Sequence, residues 1–247
     1  MLQNVEGIIL RTQDYGETHK IITIFTEDRG KIAVMARGAK KPKSRMAAIA
    51  QPFIFGSFLV QLGSGMGAMQ QGEPLQSFRS IREDIVKTAY ASYIAEMTDK
   101  LTDNNKPDPD LFRQLLQVME WINDGKDADV LRIIYELKMF RRGGFAPTVH
   151  QCVNCGNTEL PYRFSIPEGG MLCRRCMHLD PDAYVLSEKV TKLLQLFSSI
   201  DISRIGNISV KPETKRLLNE LLDTYYDRYG GYFLKSKKFL AQLDKLQ

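Results

Sequence analysis

Apolar positions in roughly the first 80 residues fall in strand-length runs bounded by turn residues. The runs are Val5–Arg11, His19–Thr26, Lys31–Arg37, Phe53–Leu62 and Ala68–Phe78. Asp14-Tyr15-Gly16 separates the first pair, Glu27-Asp28-Arg29-Gly30 forms a hairpin turn, and Gly63-Ser64-Gly65-Met66-Gly67 bends the chain between the fourth and fifth. Five short strands, with a longer link (Gly38–Gln51) between the third and fourth, match the element count of an OB-fold barrel. The link lies where such a barrel often carries a helix, and Ala47-Ala48-Ile49-Ala50 supplies a turn of one between Pro42 and Pro52. Alternation in the third strand puts Ile32, Val34 and Ala36 on one face and Lys31, Ala33, Met35 and Arg37 on the other. In the fourth, Ile54, Phe58, Val60 and Leu62 read as core. Phe53 and Phe55 share the opposite face, where packing against helices is preferred to stacking on bases.

After Phe78 the period changes. Ile81, Ile85, Ala89, Tyr93 and Met97 recur every four residues as a helical stripe. Asp108-Pro109 is an N-cap followed by proline at the first helical position, with Leu111, Leu115, Val118 and Ile122 behind it and Gly125 as the stop. Val130, Leu131, Ile134 and Leu137 mark a third helix, Ser187 caps a fourth and Pro212 opens a fifth, closed by Gly230-Gly231. The expectation is an α+β multidomain chain: a five-stranded OB-fold β-barrel for DNA binding over residues 1–79, then an α-helical domain over residues 80–247. A cysteine-bearing insert interrupts the latter at about 148–180.

A hydrophobic content of 43% and a charged content of 26% exclude disorder. The net charge of +5 says little as a total, but its distribution is uneven. From Arg29 to Gly72 there is no Asp or Glu, against seven bases: Arg29, Lys31, Arg37, Lys40, Lys41, Lys43 and Arg45. Such a local surplus is the footprint of a surface for polyanions, and bonds from it to phosphate release counterions without regard to sequence. The residues expected to contact nucleic acid are Lys31, Arg37, Lys40, Lys41, Lys43 and Arg45. No apolar stretch approaches the roughly 18 residues of a membrane helix, and the N-terminus lacks the pattern of a signal peptide. A cytoplasmic protein is expected, with no membrane partner.

All four cysteines form one motif, Cys152-Val-Asn-Cys155 and Cys173-Arg-Arg-Cys176. Two-residue spacing lets both thiolates of each knuckle turn toward one ion, and an intervening hairpin joins the knuckles. Four thiolates close a tetrahedron, so one structural zinc is expected at Cys152, Cys155, Cys173 and Cys176, with no open position for catalysis. Arg174 and Arg175 either offset the charge of that site or face nucleic acid. His150 and His178 flank the motif as bystanders. There is no Walker A loop, no HExxH and no GxSxG. Asp99, Asp103, Glu83 and Asp84 sit among bases at helix-surface spacing and read as salt-linked exposed faces rather than a Mg²⁺ site. The chain is not expected to be an enzyme.

The segments Gly7-Ile-Ile-Leu, Asp14-Tyr-Gly-Glu, Ile24-Phe-Thr-Glu-Asp-Arg-Gly-Lys and Ala36-Arg-Gly-Ala-Lys-Lys-Pro-Lys-Ser-Arg resemble the RecO family of DNA repair proteins. So do Gly144-Phe-Ala-Pro, Cys152-Val-Asn-Cys-Gly and Gly169-Gly-Met-Leu-Cys-Arg-Arg-Cys. The resemblance spans essentially the whole chain. Some members lack the cysteines; here all four are present. It implies a recombination mediator that binds single- and double-stranded DNA, anneals complementary strands and works with RecR. It also implies binding to the acidic C-terminal tail of single-stranded DNA-binding protein, at a pocket in the helical domain, with RecA reached indirectly and nucleoid association during repair. The alternatives are a zinc-ribbon RNA-binding or transcription factor and, more remotely, a metal-dependent nuclease.

Overall fold

β-Branched and aromatic residues at alternate positions build five strands in the computed structural model, which describes residues 2–63, 65–206 and 208–244. They are β1 (Leu2–Tyr15), β2 (His19–Thr26), β3 (Gly30–Ala36), β4 (Phe55–Gln61) and β5 (Gly67–Gln76). Of the expected glycine-rich bend, Ser64 lies outside the described residues. The strands close into a barrel in the order β1-β2-β3-β5-β4, with β3 and β5 parallel and the other pairs antiparallel. This is the OB-type barrel expected. β1 serves two neighbours. Leu2–Ile8 pairs with β4, Gly7–Tyr15 pairs with β2, and a register shift between Ile9 and Arg11 lets the strand bend from one to the other.

Ile9, Ile22, Ile24, Ile32, Val34, Ala36, Phe58, Val60 and Met69 fill the interior. Each large side chain so buried contributes about 1.5–3 kcal/mol. The short helix α1 (Arg45–Ile49) occupies the β3–β4 link and sends Ile49 into this core.

The helical stripe beginning at Ile81 is two helices rather than one. α2 (Arg79–Glu83) stops at Asp84, whose side chain accepts from the amides of Val86 and Lys87 and so starts α3 (Ile85–Leu101) afresh. Ile85 is 62% exposed as a result. α4 (Pro109–Asn123) opens on the Asp108 cap as expected. Its Phe112 meets the rings of Phe25 and Phe55 at 6.2 and 6.1 Å. Phe53 is buried and Phe55 half-buried. These phenylalanines pack within the fold.

A further helix, α8 (Lys235–Asp244), gave no capping signal in the sequence. Its first turn is held from a distance: the backbone amides of Lys235 and Ser236 donate to the Glu96 carboxylate of α3 at 3.1 and 2.8 Å. The barrel, α1–α4 and α8 make one unit, Met1–Ala128 with Leu234–Gln247, and Asp129–Phe233 makes a second.

The second unit is built on α5 (Ala128–Arg142), α6 (Glu188–Ser199), α7 (Pro212–Tyr229) and a small sheet ordered β7-β6-β8. Those strands are β6 (Tyr162–Ser165), β7 (Gly170–Cys173) and β8 (Tyr184–Val185). Ser187 and Pro212 start α6 and α7 as read from the sequence. α5 is buried from Val130 to Phe140, with Arg132, Glu136 and Lys138 included. Arg132 donates to Glu136 and to Asp223, each at 2.7 Å. Among the described residues, no helix is long and apolar enough to cross a membrane.

Candidate nucleic-acid interface and metal centre

β3 delivers Ala36 to the core and then leaves it. The loop that follows is pinned turn by turn. The Gly38 amide donates to His19 Nδ1 (3.1 Å), the Lys40 amide to the Thr18 carbonyl (3.0 Å) and the Lys41 amide to the Gly38 carbonyl (3.0 Å). Ser44 then caps α1 by accepting from the Met46 amide at 3.1 Å. Gly38 (φ +71°) and Lys43 (φ +59°) take the left-handed conformations that such a path demands. Arg37, Lys41, Lys43 and Arg45 are exposed, and none has an ion pair among the described residues. Lys40 differs. Its ammonium meets Asp14 at 3.0 Å, so part of its charge is already spent.

Lys31 corrects the expectation that the whole outer face of β3 displays charge. The alternation holds, with Ile32, Val34 and Ala36 inside and Ala33 and Arg37 exposed. The Lys31 side chain, however, lies under the C-terminal end of α3 and is only 8% exposed as a residue. Its ammonium donates to the backbone carbonyls of Asp99 and Thr102 and pairs with the Asp99 carboxylate at 3.1 Å, while Arg11 meets the same carboxylate at 2.9 Å. A cation beneath unpaired helix-terminal carbonyls is favourable, and burial removes it from any phosphate. Gly30, one residue earlier, lets the Lys106 backbone pass where a Cβ would stand.

Asp99 is thereby also corrected, from an exposed helix-face carboxylate to a buried ion-pair partner. Of the other carboxylates, Glu83 pairs with Arg79 (2.6 Å) and Asp103 with Lys106 (3.3 Å), both exposed. Asp84 is the cap of α3.

In the second unit the hairpin β6–β7, in register Tyr162↔Cys173 to Ser165↔Gly170, carries the second knuckle to the first. Thr148 and Val153 lie alongside β7, with the Val153 amide donating to the Met171 carbonyl at 2.8 Å. The Cys152 amide is held by the Asn157 carbonyl (2.7 Å), and the Cys176 amide by the Cys173 carbonyl (2.9 Å). The four sulfurs of Cys152, Cys155, Cys173 and Cys176 consequently lie within 4.8 Å of one another. Cys155 and Cys173 are 3.6 Å apart. Thiolates about one tetrahedral ion with bonds near 2.3 Å stand about 3.8 Å from each other, so this donor set fits a metal ion. Three of the four cysteines are buried; Cys155 is exposed.

Without a cation, these thiols cannot share negative charge evenly. Burial pushes the Cys152 thiol up, but backbone amides of Cys173, Cys155 and Asn154, with the Cys155 thiol, outweigh it and bring the group down to about 6. The Asn154 amide pulls Cys176 down. Burial and the three other thiols more than reverse this and push it up to about 12. A dication would remove that conflict. His150 Nε2 lies 3.0 Å from Ser198 Oγ, and His178 Nδ1 donates to the Arg175 carbonyl at 2.9 Å; neither belongs to the cluster. Arg174 and Arg175 are both exposed.

A closed OB-type barrel, a helical region and a four-cysteine metal cluster define the class: a multidomain OB-fold protein with a metal-binding hairpin. The family model described as "Recombination protein O N terminal" matches residues 1–78, and that described as "Recombination protein O C terminal" matches residues 82–238. The protein named "DNA repair protein RecO" of Oceanobacillus iheyensis is 55% identical over 99% of this chain and 95% of its own length. Those of the same name in Bacillus cytotoxicus and Bacillus subtilis are 52% and 47% identical over all of this chain and 100% and 97% of theirs. The chain belongs to the RecO family of DNA repair proteins.

Proposed function

We propose that this protein is a non-enzymatic recombination mediator, with the barrel (residues 1–79) as its DNA-binding domain. It binds single- and double-stranded DNA, anneals complementary strands and, with RecR, helps load RecA onto strands coated by single-stranded DNA-binding protein. The observation that carries the DNA contact is the pinned loop with Arg37, Lys41, Lys43 and Arg45 exposed and, among the described residues, without ion pairs. Cations held on an ordered loop neutralise phosphates on two strands at once and so lower the repulsion that opposes annealing. Lys40 contributes less because Asp14 already engages it. Arg174 and Arg175, exposed on the second knuckle, are further contacts for nucleic acid in this reading.

In this reading the metal is a single zinc ion held by Cys152, Cys155, Cys173 and Cys176. When bound it supplies structural cross-linking, since four thiolates leave no position for water or substrate. Membership of the RecO family supports RecR, the acidic tail of single-stranded DNA-binding protein (at a pocket in the helical domain) and, indirectly, RecA as partners. It also supports a cytoplasmic location with nucleoid association during repair.

The test is annealing and RecA loading on coated single strands, with and without RecR, alongside competition between single-stranded DNA and RNA. Stimulation that depends on RecR and a preference for DNA are expected. A marked preference for RNA would favour a zinc-ribbon RNA-binding protein instead.

A further inference from the structure

The basic loop is fastened to the β1–β2 hairpin, and that hairpin presents an aromatic ring. Tyr15 ends β1 and pairs with His19 at the start of β2; Gln13 pairs with Ile21, and Ile21 with Met35 on β3. The last registered pair is Lys20↔Ala36; continuing the ladder by one step sets Arg37 opposite His19, whose ring accepts from the next amide, that of Gly38. Opposed residues of antiparallel strands share a face. Tyr15, His19 and Arg37 thus form one row across three strands, with Gln13, Ile21 and Met35 behind it. Ile22 and Val34, on the opposite face, are wholly inside the barrel, so these rows lie on its outer wall.

Tyr15 is 48% exposed, and its side chain has no hydrogen bond or ring contact among the described residues. It is the exposed aromatic of the barrel: Phe25, Phe53, Phe58 and Phe78 are buried, and Phe55 is covered by Phe112. Two contacts bracket it. Asp14, its chain neighbour, holds Lys40, and His19, its strand partner, holds the Gly38 amide. The hairpin end that carries the ring is therefore tied to the basic loop, with His19 between Tyr15 and Arg37 in the row.

We propose that Tyr15 is a stacking platform for a base of single-stranded nucleic acid whose flanking phosphates lie along Arg37 and the loop. This rests on the reading of the loop as a DNA contact and adds strand selectivity to it. Cations alone treat any phosphate backbone alike, whereas an open ring engages a base that is free of its duplex. Bases in a duplex are already stacked inside it and gain nothing from the ring. The half-exposed Ile21 and Met35 extend the same wall as an apolar strip.

The experiment compares Tyr15→Ile, which keeps strand propensity without a ring, Tyr15→Phe, which keeps the ring without the hydroxyl, and a Lys41→Ala/Lys43→Ala/Arg45→Ala variant. Binding is titrated against a single-stranded oligonucleotide, a duplex of equal length and an abasic single strand, each at several salt concentrations. Tyr15→Ile is expected to weaken single-strand binding about tenfold with its salt slope unchanged, while Tyr15→Phe binds like the parent. Duplex and abasic binding should not move. Equal losses on all three ligands, or no loss on the single strand, overturn the stacking role. If the loop variant loses binding while Tyr15→Ile does not, only this inference fails. If the parent protein binds no DNA, or the loop variant binds as tightly as the parent, the reading of the loop itself falls. Matching thermal melts of Tyr15→Ile and Tyr15→Phe separate loss of contact from loss of fold.

Discussion

Lys31 and Lys41 belong to the same acid-free stretch of the chain, one in the barrel wall and one in the loop just past it. The first is buried, bonded to two helix-terminal carbonyls and paired with Asp99; the second is exposed and has no ion pair among the described residues. Identical side chains thus serve opposite ends. A cation whose charge is met inside the protein holds elements together, and one left open is available to an external polyanion. What separates them is where α3 ends, a fact of tertiary structure that local composition does not contain. The four cysteines extend the comparison to the second unit, where negative charge is gathered for an ion.

The largest expected effect is there. Cys152→Ser or Cys173→Ser should abolish stoichiometric metal binding and lower the thermal stability of the protein, measured by metal analysis and calorimetry. Acid should do the same reversibly. At neutral pH Cys152, lowered to about 6, is a thiolate, whereas Cys176, raised to about 12, keeps its proton. Metal binding must therefore release at least the Cys176 proton, so affinity for the ion should weaken as pH falls and protons compete for the thiolates. Calorimetric titration in two buffers of different ionisation enthalpy reads the proton release directly, and equal heats in both would contradict it.

Next comes Lys31→Met. It leaves the buried Asp99 with only Arg11, and an abandoned buried charge of this kind costs about 3 kcal/mol. Denaturant unfolding should show that loss while DNA affinity per folded molecule stays the same. A drop in the salt slope for this variant would erase the contrast between wall and loop.

The loop should behave in the reverse manner. Lys41→Ala/Lys43→Ala/Arg45→Ala is expected to change stability by less than about 1 kcal/mol. It should flatten the dependence of log affinity on log salt by about 2 for single strands. Lys40→Ala sharpens the point: its slope change should be smaller than that of Lys41→Ala, because Asp14 already holds Lys40.

The smallest effect concerns Glu17, exposed in the β1–β2 turn beside Tyr15 and without a basic partner among the described residues. Glu17→Gln removes a repulsion toward phosphate and should raise DNA affinity about twofold at low salt, an increase that disappears at high salt.

Much of the fold was legible because its signals are local. Alternation marked the barrel strands, Asp108-Pro109 and Ser187 carried their own capping chemistry, and the paired CxxC spacing led to sulfurs that do converge. The errors have two sources, one an ambiguous local signal and the other contacts distant in sequence. Asp84 interrupts an apolar stripe that looks unbroken by period alone, since a carboxylate near a helix start reads the same whether it is cap or surface. Lys31 and Asp99 each look exposed until β3 meets the end of α3. α8 has no cap of its own, because its amides are satisfied by Glu96, distant in sequence. Tyr15 passed as a turn marker; its exposure beside the loop depends on hydrogen bonds from Gly38 and Lys40 to the β1–β2 hairpin.

The Glu96 contact also bears on the order in which the protein is made. The barrel and α3 leave the ribosome early, whereas Ser236 follows only after the entire second unit has been translated. Until then the Glu96 carboxylate and the α3 surface that α8 covers stay open in the nascent chain. Completion of the first unit is thus a late event in biosynthesis, and an interval of exposed helical surface, the kind that chaperones shield, is built into the connectivity.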